Sequence, residues 1–230
     1  MKIGIIVATE EERRPFYKVF GAPSVEYPYT NGYEVARWEQ YNSSIYLIQS
    51  SFGEIAAASA TQYLIDKFEV EKLINYGAVG GLSYGYYVGR IGFVREVVHY
   101  GFDISINGRY AVGEYPHKGV YLRPYKDAIP NDILKEYGLS RLICASADKF
   151  VGSGEPKRKL RKDFGADVCD MEAAGIIITC NRNEIPVTSI KAVSDNVNED
   201  TKAFKDNVSS VSLKCVNLIY DVLNGHHAIF

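Results

Sequence analysis

Short apolar, largely β-branched runs punctuate the chain at residues 3–8, 45–49, 72–76, 93–98, 141–145 and 187–193. Their length and composition predict buried strands rather than helices. Between them the apolar period changes. Residues Glu54–Phe68 are alanine-rich and follow a turn of small residues at 50–53, which predicts a helix. Over residues 168–181, Met171, Ala174 and Ile178 fall at helical spacing, which predicts another. The clearest stripe is the last: Phe204, Val208, Val211, Cys215, Leu218 and Val222 step by four and three residues, the pattern of a helix with one face on the core. Strands alternating with helices predict an α/β domain of three layers, α/β/α, around a central mixed, mostly parallel sheet. No repeat, linker composition or low-complexity tract interrupts the pattern, so one domain over residues 1–230 is expected.

Residues 77–125 break this alternation. They hold eight of the eighteen tyrosines, many glycines and few helical signals, and read as strands and loops decorating the sheet. Tyrosine joins an apolar ring to a polar tip, which suits surfaces that are both sticky and wet. The expectation is that these tyrosines build part of a pocket and a partner-facing surface.

Composition removes several function classes. A chain of 230 residues, 47% hydrophobic and 23% charged, is long enough for a sizeable core. Its formal charge of -2 does not suit a binder that works by neutralising phosphates, so no nucleic-acid partner is expected. The apolar run after Lys2 is short and is followed by Glu10, Glu11 and Glu12, which does not resemble a secretory signal. No run approaches the ~18 apolar residues of a membrane span, so no membrane partner is expected. Cys144, Cys169, Cys180 and Cys215 lack paired spacing and lie in apolar patterns, as buried free thiols do. The four histidines are dispersed, two of them (His226 and His227) at the C-terminal end, and no zinc site is expected. A cytoplasmic protein without metal is the reading.

Three carboxylates stand where strands give way to helices or loops: Glu12, Glu172 and Asp195. In open α/β sheets ligands bind outside the carboxyl ends of strands, so these positions are favoured for chemistry. Each has a plainer reading as well. Glu10–Glu12 suit a helix N-terminus. Glu172 can be a solvated helix residue, although its neighbours are apolar, and Asp195 can cap the helix or turn after Val193. The glycine-rich segment LINYGAVGGL (residues 73–82) brings bare backbone close to a ligand or simply packs a tight turn. It carries neither a Walker nor a dinucleotide spacing.

Six strings occur in a telling order: IGIIVATEEE (3–12), FGEIAAA (52–58), LINYGAVGGL (73–82), ASADKFVGSG (145–154), DMEAAGI (170–176) and KAVSD (191–195). Together they resemble the nucleoside phosphorylase/hydrolase superfamily, and most of all the 5′-methylthioadenosine/S-adenosylhomocysteine nucleosidases. The resemblance runs from residue 1 to about residue 220 and is weakest between His99 and Asn131. It implies a nucleoside phosphorylase-like domain that hydrolyses the N-glycosidic bond of a purine nucleoside, with no cofactor or metal, as a homodimer whose neighbour helps cover the 5′ pocket.

The resemblance also implies roles. Glu12 would hold and activate water, and Asp195, placed by Ser194, would protonate N7 of the purine. Glu172 would grip the ribose hydroxyls, with Met171 against the sugar. Phe150 and Val151 would bind the base by stacking and backbone hydrogen bonds. Phe52 and Phe204 would line the sugar and 5′ side, and Ala78 would face the sugar from the glycine-rich turn. Such cleavage passes through an oxocarbenium-like sugar that carboxylates stabilise.

Two other readings stay open at this stage. Phosphorylases of the superfamily use phosphate in place of water and need cationic partners for it. Here Asn75-Tyr76-Gly77 carries no cation, which leaves Arg13 and Arg14 as the feature that would support a phosphorylase. A catalytically idle nucleoside-binding protein is the other reading, although it would be expected to lack Glu12 or Asp195. Three departures bear on substrate: Ala78 stands where nucleosidases often have serine, Lys191 where arginine is common, and Val7 where a small residue is usual. Residues 101–125 match the family least, which leaves the 5′ substituent open.

Overall fold

The computed structural model describes residues 1–225 apart from 31, 41 and 200; His226 and His227 lie outside the described residues. Nine strands are β1 (Lys2–Val7), β2 (Val25–Thr30), β3 (Tyr33–Gln40), β4 (Ser43–Gln49), β5 (Lys72–Gly81), β6 (Ile91–His99), β7 (Ser140–Ser146), β8 (Val168–Asp170) and β9 (Val187–Asp195). Among the described residues six α-helices are α1 (Glu10–Phe20), α2 (Glu54–Phe68), α3 (Asn131–Glu136), α4 (Glu155–Phe164), α5 (Ala173–Arg182) and α6 (Thr201–Gly225).

The strands run in the order β2-β3-β4-β1-β5-β8-β7-β6-β9, and β9 returns to pair with β5. One half of the sheet is therefore open and the other closes on itself through β5. Pairings β1–β4, β1–β5, β5–β9, β6–β7 and β7–β8 are parallel, whereas β2–β3, β3–β4, β5–β8 and β6–β9 are antiparallel. The expected mixed, mostly parallel sheet is the observed one.

Side-chain alternation along β1 separates the layers. Ile3, Ile5 and Val7 join Phe16 and Phe20 of α1 and Val211, Cys215 and Ile219 of α6 in one apolar cluster. Ile6 faces the other way, into a cluster with Ala57 and Leu64 of α2 and Ile176 and Ile177 of α5. All nine residues of β9 are buried, as expected for a strand covered on both faces. At Gly175 the layer of α2 and α5 has no room for a side chain: a Cβ there would lie 2.3 Å from the carbonyl oxygen of Glu54. Gly175→Ala is expected to destabilise the protein by about 1–3 kcal/mol. This appears as a lower urea midpoint with an unchanged slope, whereas an unchanged midpoint would mean that the two helices part freely.

Two elements differ from the sequence pattern. Residues 168–181 are not one helix: Val168–Asp170 is a short strand, Met171 and Glu172 follow it, and α5 begins at Ala173. Tertiary pairing decides this, because Val168 and Cys169 meet Gly81 and Gly80 of β5 on one side and Cys144 and Ala145 of β7 on the other. The glycine-rich segment is no turn either. Residues 77–81 continue β5, with 77–80 paired to β9, so Ala78 sits in a strand. The hairpin β2–β3 and the short helix α3 carry weaker periodicity, whereas α4 is amphipathic, with Lys157 and Leu160 buried on its inner face.

Candidate active site

A cleft opens where β1, β4, β7, β8 and β9 end, over the second half of β5. Glu12, Phe52, Ala78, Phe150, Val151, Met171, Glu172, Asp195 and Phe204 all line it. Ser194 does not: it is fully buried behind Asp195. Residues far apart in sequence are thus gathered by the strand ends.

Glu12 is both a helix cap partner and a cleft residue. Thr9 caps α1, its Oγ1 accepting from the Glu12 N–H at 3.3 Å. The Glu12 carboxylate turns back: Oε2 accepts from the N–H groups of Ala8 (2.9 Å) and Thr9 (3.2 Å). Oε1 reaches across to β5 and accepts from the Ala78 N–H at 2.9 Å. The close approach depends on Gly77, since a Cβ there would lie 2.4 Å from Oε1. Tyr76 lies beneath, donating its hydroxyl to the Glu12 carbonyl at 2.8 Å. Burial raises the Glu12 carboxyl above its ordinary value, while Lys191 and the three backbone donors pull it back.

Glu172 is held on the opposite wall. Its Oε1 accepts from the Gly53 N–H at 3.0 Å and its Oε2 from the Met171 N–H at 3.2 Å. Gly53 has φ +98, a backbone form that L side chains rarely adopt, so glycine is what lets this loop present its N–H. Burial pushes the Glu172 carboxyl up to about 8, the charge of Asp170 adds to the rise, and Lys191 opposes it. Lys191, itself buried, lies 3.0 Å from Asp170. Burial alone would lower the Lys191 ammonium, but Asp170, Glu172 and Glu12 outweigh it and hold the group above its usual range. One cation thus faces three carboxylates behind the cleft floor.

Asp195 is aimed by an irregularity in β9. Val79 pairs with Val193 but Gly80 pairs with Asp195, so Ser194 is the extra residue of a bulge, a device that redirects the neighbouring side chain. Ser194 Oγ lies 2.6 Å from Asp195 Oδ1. Lys157 of α4 donates to Oδ2 from a fully buried position. Burial raises the Asp195 carboxyl above its ordinary value, with Lys157 and Ser194 acting against the rise.

Aromatic rings frame the opening. Phe150 and Phe204 meet edge to face, centroids 5.7 Å apart, and Phe52 and Phe150 remain partly exposed to the cleft mouth. Phe204 belongs to the apolar stripe of α6, yet it reaches the cleft whereas Val208, Val211, Cys215, Leu218 and Val222 enter the core. Among the described residues no tyrosine lines this cleft. The tyrosine-rich segment therefore does not form its wall within one chain: Tyr76 lies below it, and Tyr84 and Tyr87 are largely exposed.

Sequence reasoning missed Lys157, Asp170 and Gly53. Lys157 sits in the string KRKLRKDF, among cations of a surface helix, and only its position three residues before Leu160 hints that it turns inward. Asp170 precedes the Met-Glu pair already singled out, and its partner Lys191 stands out only as an exchanged arginine. Among the described residues no cluster of three or more His, Cys, Asp or Glu side chains is arranged to hold a metal ion, and no helix is long and apolar enough to cross a membrane.

Comparison with known proteins agrees with the architecture. A 5′-methylthioadenosine/S-adenosylhomocysteine nucleosidase of Haemophilus ducreyi is 30% identical over 98% of this chain and 98% of its own length. An aminodeoxyfutalosine nucleosidase of Helicobacter pylori is 26% identical over 96% of this chain and 99% of its own. Among solved structures, the Helicobacter pylori 5′-methylthioadenosine/S-adenosylhomocysteine nucleosidase in complex with a substituted pyrrolidin-3-ol superposes with a TM-score of 0.91 at 23% identity, covering 98% of each chain. At that identity the likeness speaks for the fold. The model of the family described as "Phosphorylase superfamily" matches residues 2–224, almost the whole of the sheet and helices that build the cleft. The chain belongs to the phosphorylase superfamily.

Proposed function

We propose that this protein is an N-ribosyl hydrolase that cleaves a purine nucleoside, with 5′-methylthioadenosine and S-adenosylhomocysteine as its substrates, releasing adenine and the 5′-substituted ribose. The observation that carries hydrolysis over phosphorolysis is the seat of Glu12. Three backbone N–H groups converge there, as they would on a phosphate, but they hold a carboxylate of the chain itself. A second anion in the same place would meet like charge. Arg13 and Arg14 do not offset this, because their guanidinium groups turn to Glu10 and Glu34, away from the cleft. A carboxylate offers about four acceptor directions. Three are taken by backbone donors, which leaves Glu12 one for a water molecule.

In the proposed reaction that water attacks C1′ while its proton passes to Glu12. The C1′–N9 bond breaks and its electron pair enters the purine, which takes a proton at N7 from Asp195. Glu172 holds the ribose hydroxyls and offers negative charge to the oxocarbenium-like sugar. Met171 and Ala78 pack on the sugar, Phe150 stacks on the base, Val151 meets it through the backbone, and Phe52 and Phe204 border the 5′ side. The intact set of Glu12, Glu172 and Asp195 around one cleft argues for an enzyme rather than an idle binder. The relatives named for methylthioadenosine and for aminodeoxyfutalosine share a purine ribosyl bond and differ in the 5′ group, so the hydrolytic step is the common ground.

The active form proposed is a homodimer of single-domain chains. The cleft mouth exposes Phe52, and Ile55 lies open at the start of α2, an apolar edge that a second copy would cover. A reducing compartment such as the cytoplasm suits the four buried free cysteines. Product analysis on a panel of purine nucleosides, with and without phosphate, tests the reading. Adenine and free 5-methylthioribose are expected at the same rate in both buffers. Phosphate-dependent formation of a ribose 1-phosphate would overturn hydrolysis, and preference for a nucleoside with another 5′ group would move the substrate assignment.

A further inference from the structure

Lys157 is the one cation of α4 that turns inward. Arg158 and Lys159 of the same helix are more than half exposed, whereas the Lys157 side chain has no exposure at all. Its stem passes Gly80, where a Cβ would lie 3.3 Å from Lys157 Cε, 3.3 Å from Asp195 Oδ2 and 3.1 Å from Cys169 Sγ. The bare backbone of β5 is what allows these three side chains to meet. The ammonium has three protons and finds three acceptors: Asp195 Oδ2, the carbonyl of Asn196 at 2.7 Å and that of Glu199 at 3.5 Å. With Ser194 on Oδ1, both oxygens of Asp195 are held, so the carboxyl cannot turn freely in the cleft. The Cys169 thiol beside the pair is pushed up to about 12 by burial and stays neutral. Glu199 contributes its carbonyl here while its carboxylate accepts from the Asn196 N–H at 2.7 Å, which fixes the turn that carries both acceptors.

We propose that Lys157 is the positioning residue of Asp195, fixing the rotation of its carboxyl and stabilising the carboxylate left behind when Asp195 gives its proton to the purine. The inference rests on the reading of Asp195 as the general acid. The Asp195 O–H bond breaks as N7–H forms, and the negative charge that remains lies against an ammonium already in place. That charge need not wait for water to reorganise, which is the condition under which a fixed cation is most effective. The groups facing Asp195 are Lys157 from α4, Cys169 from β8 and Glu199 from the turn after β9; only Lys157 is a cation among them. Glu172 titrates on the Lys191 side of the cleft, and Lys157 is not among the groups acting on it.

Lys157→Met keeps the length of the stem and removes the charge. The expected result is a kcat at least about tenfold lower with KM little changed. The alkaline limb of the kcat/KM profile, where Asp195 loses its proton, moves to higher pH by about one unit, because a carboxyl without its ammonium partner holds its proton more tightly. Lys157→Gln, which retains a donor but no charge, is expected to recover part of kcat while its alkaline limb stays displaced. The decisive comparison is the double variant with Asp195→Asn. If Lys157 acts through Asp195, Lys157→Met adds almost nothing to the loss already caused by Asp195→Asn. Losses that multiply, or an alkaline limb that does not move, overturn the inference. Failure of both position-157 variants to fold, not repaired by adding Asp195→Asn, assigns Lys157 to stability and also overturns it. Full activity of Asp195→Asn alone would instead refute the reading of Asp195, which keeps the two failures apart.

Discussion

Glu12→Gln is expected to lower kcat by at least about a hundredfold while the protein stays folded and binds its nucleoside, the loss typical of a missing general base. The side chain keeps its size, so the helix cap and the contact with Gly77 survive in outline. The chemistry is altered. An amide cannot take a proton from water, and its NH2 must face at least one of the N–H groups of Ala8, Thr9 or Ala78 that now point at oxygen. Two donors facing each other in a buried place cost about 1–3 kcal/mol, so some loss of thermal stability accompanies the loss of rate. The pH profile gives a second measure. Glu12 must be ionised to act, so kcat/KM rises as pH passes upward through its pKa. Burial places that acid limb above the ordinary carboxylate value of about 4.3. Steady-state adenine release across pH, with thermal melting as a control for folding, checks both. A folded Glu12→Gln enzyme with kcat within threefold of the parent would remove Glu12 from the mechanism.

Asp195→Asn should cost a similar factor, about a hundredfold or more in kcat, for the complementary reason: the purine departs without its proton. The amide oxygen can still face Lys157 and its NH2 can face Ser194, so binding and folding are expected to persist. The pH signature is opposite in sign to that of Glu12. Asp195 must be protonated to act, so activity falls as pH rises through its pKa, and burial moves that fall above the ordinary range. In Asp195→Asn this limb disappears, because the group that titrates is gone. Retention of the limb in a folded variant would assign it to another group, with Glu172, near 8, the first to examine. The two variants together divide the bell: one removes its acid side and the other its alkaline side.

Much of this site is legible in the chain alone. The strand ends announce themselves in apolar runs that stop at polar residues, so Glu12 after β1 and Asp195 at the end of β9 emerge from pattern and position. Met171 and Glu172 are legible as residues of interest but not as a strand end, because helical spacing in 168–181 conceals a three-residue strand. Such a strand has too few residues to show a period of its own. It forms because β5 and β7 offer hydrogen bonds on both sides. The same holds for the glycine-rich segment. Glycine raises the prospect of a turn in any sequence, and only the pairing of residues 77–80 with β9 shows that these glycines thin a strand where Glu12, Lys157 and Asp195 press against it.

Lys157 marks the boundary most sharply. In sequence it is one lysine among several cations of an amphipathic helix, and solvation is the natural expectation for each. In the fold the helix is turned so that this one ammonium enters the core beside a carboxylate, where water is replaced by Asp195 and two carbonyl oxygens. By itself the sequence determined the layered α/β order, the core-facing stripe of the last helix and the three carboxylates, since apolar periodicity and residue type are local properties written along the chain. Only the tertiary structure decided that Glu12 occupies a nest of backbone donors, that one lysine is shared by three carboxylates, and that another holds Asp195. Those are facts about which groups lose water together, and desolvation is settled by what packs around a side chain rather than by its neighbours in sequence.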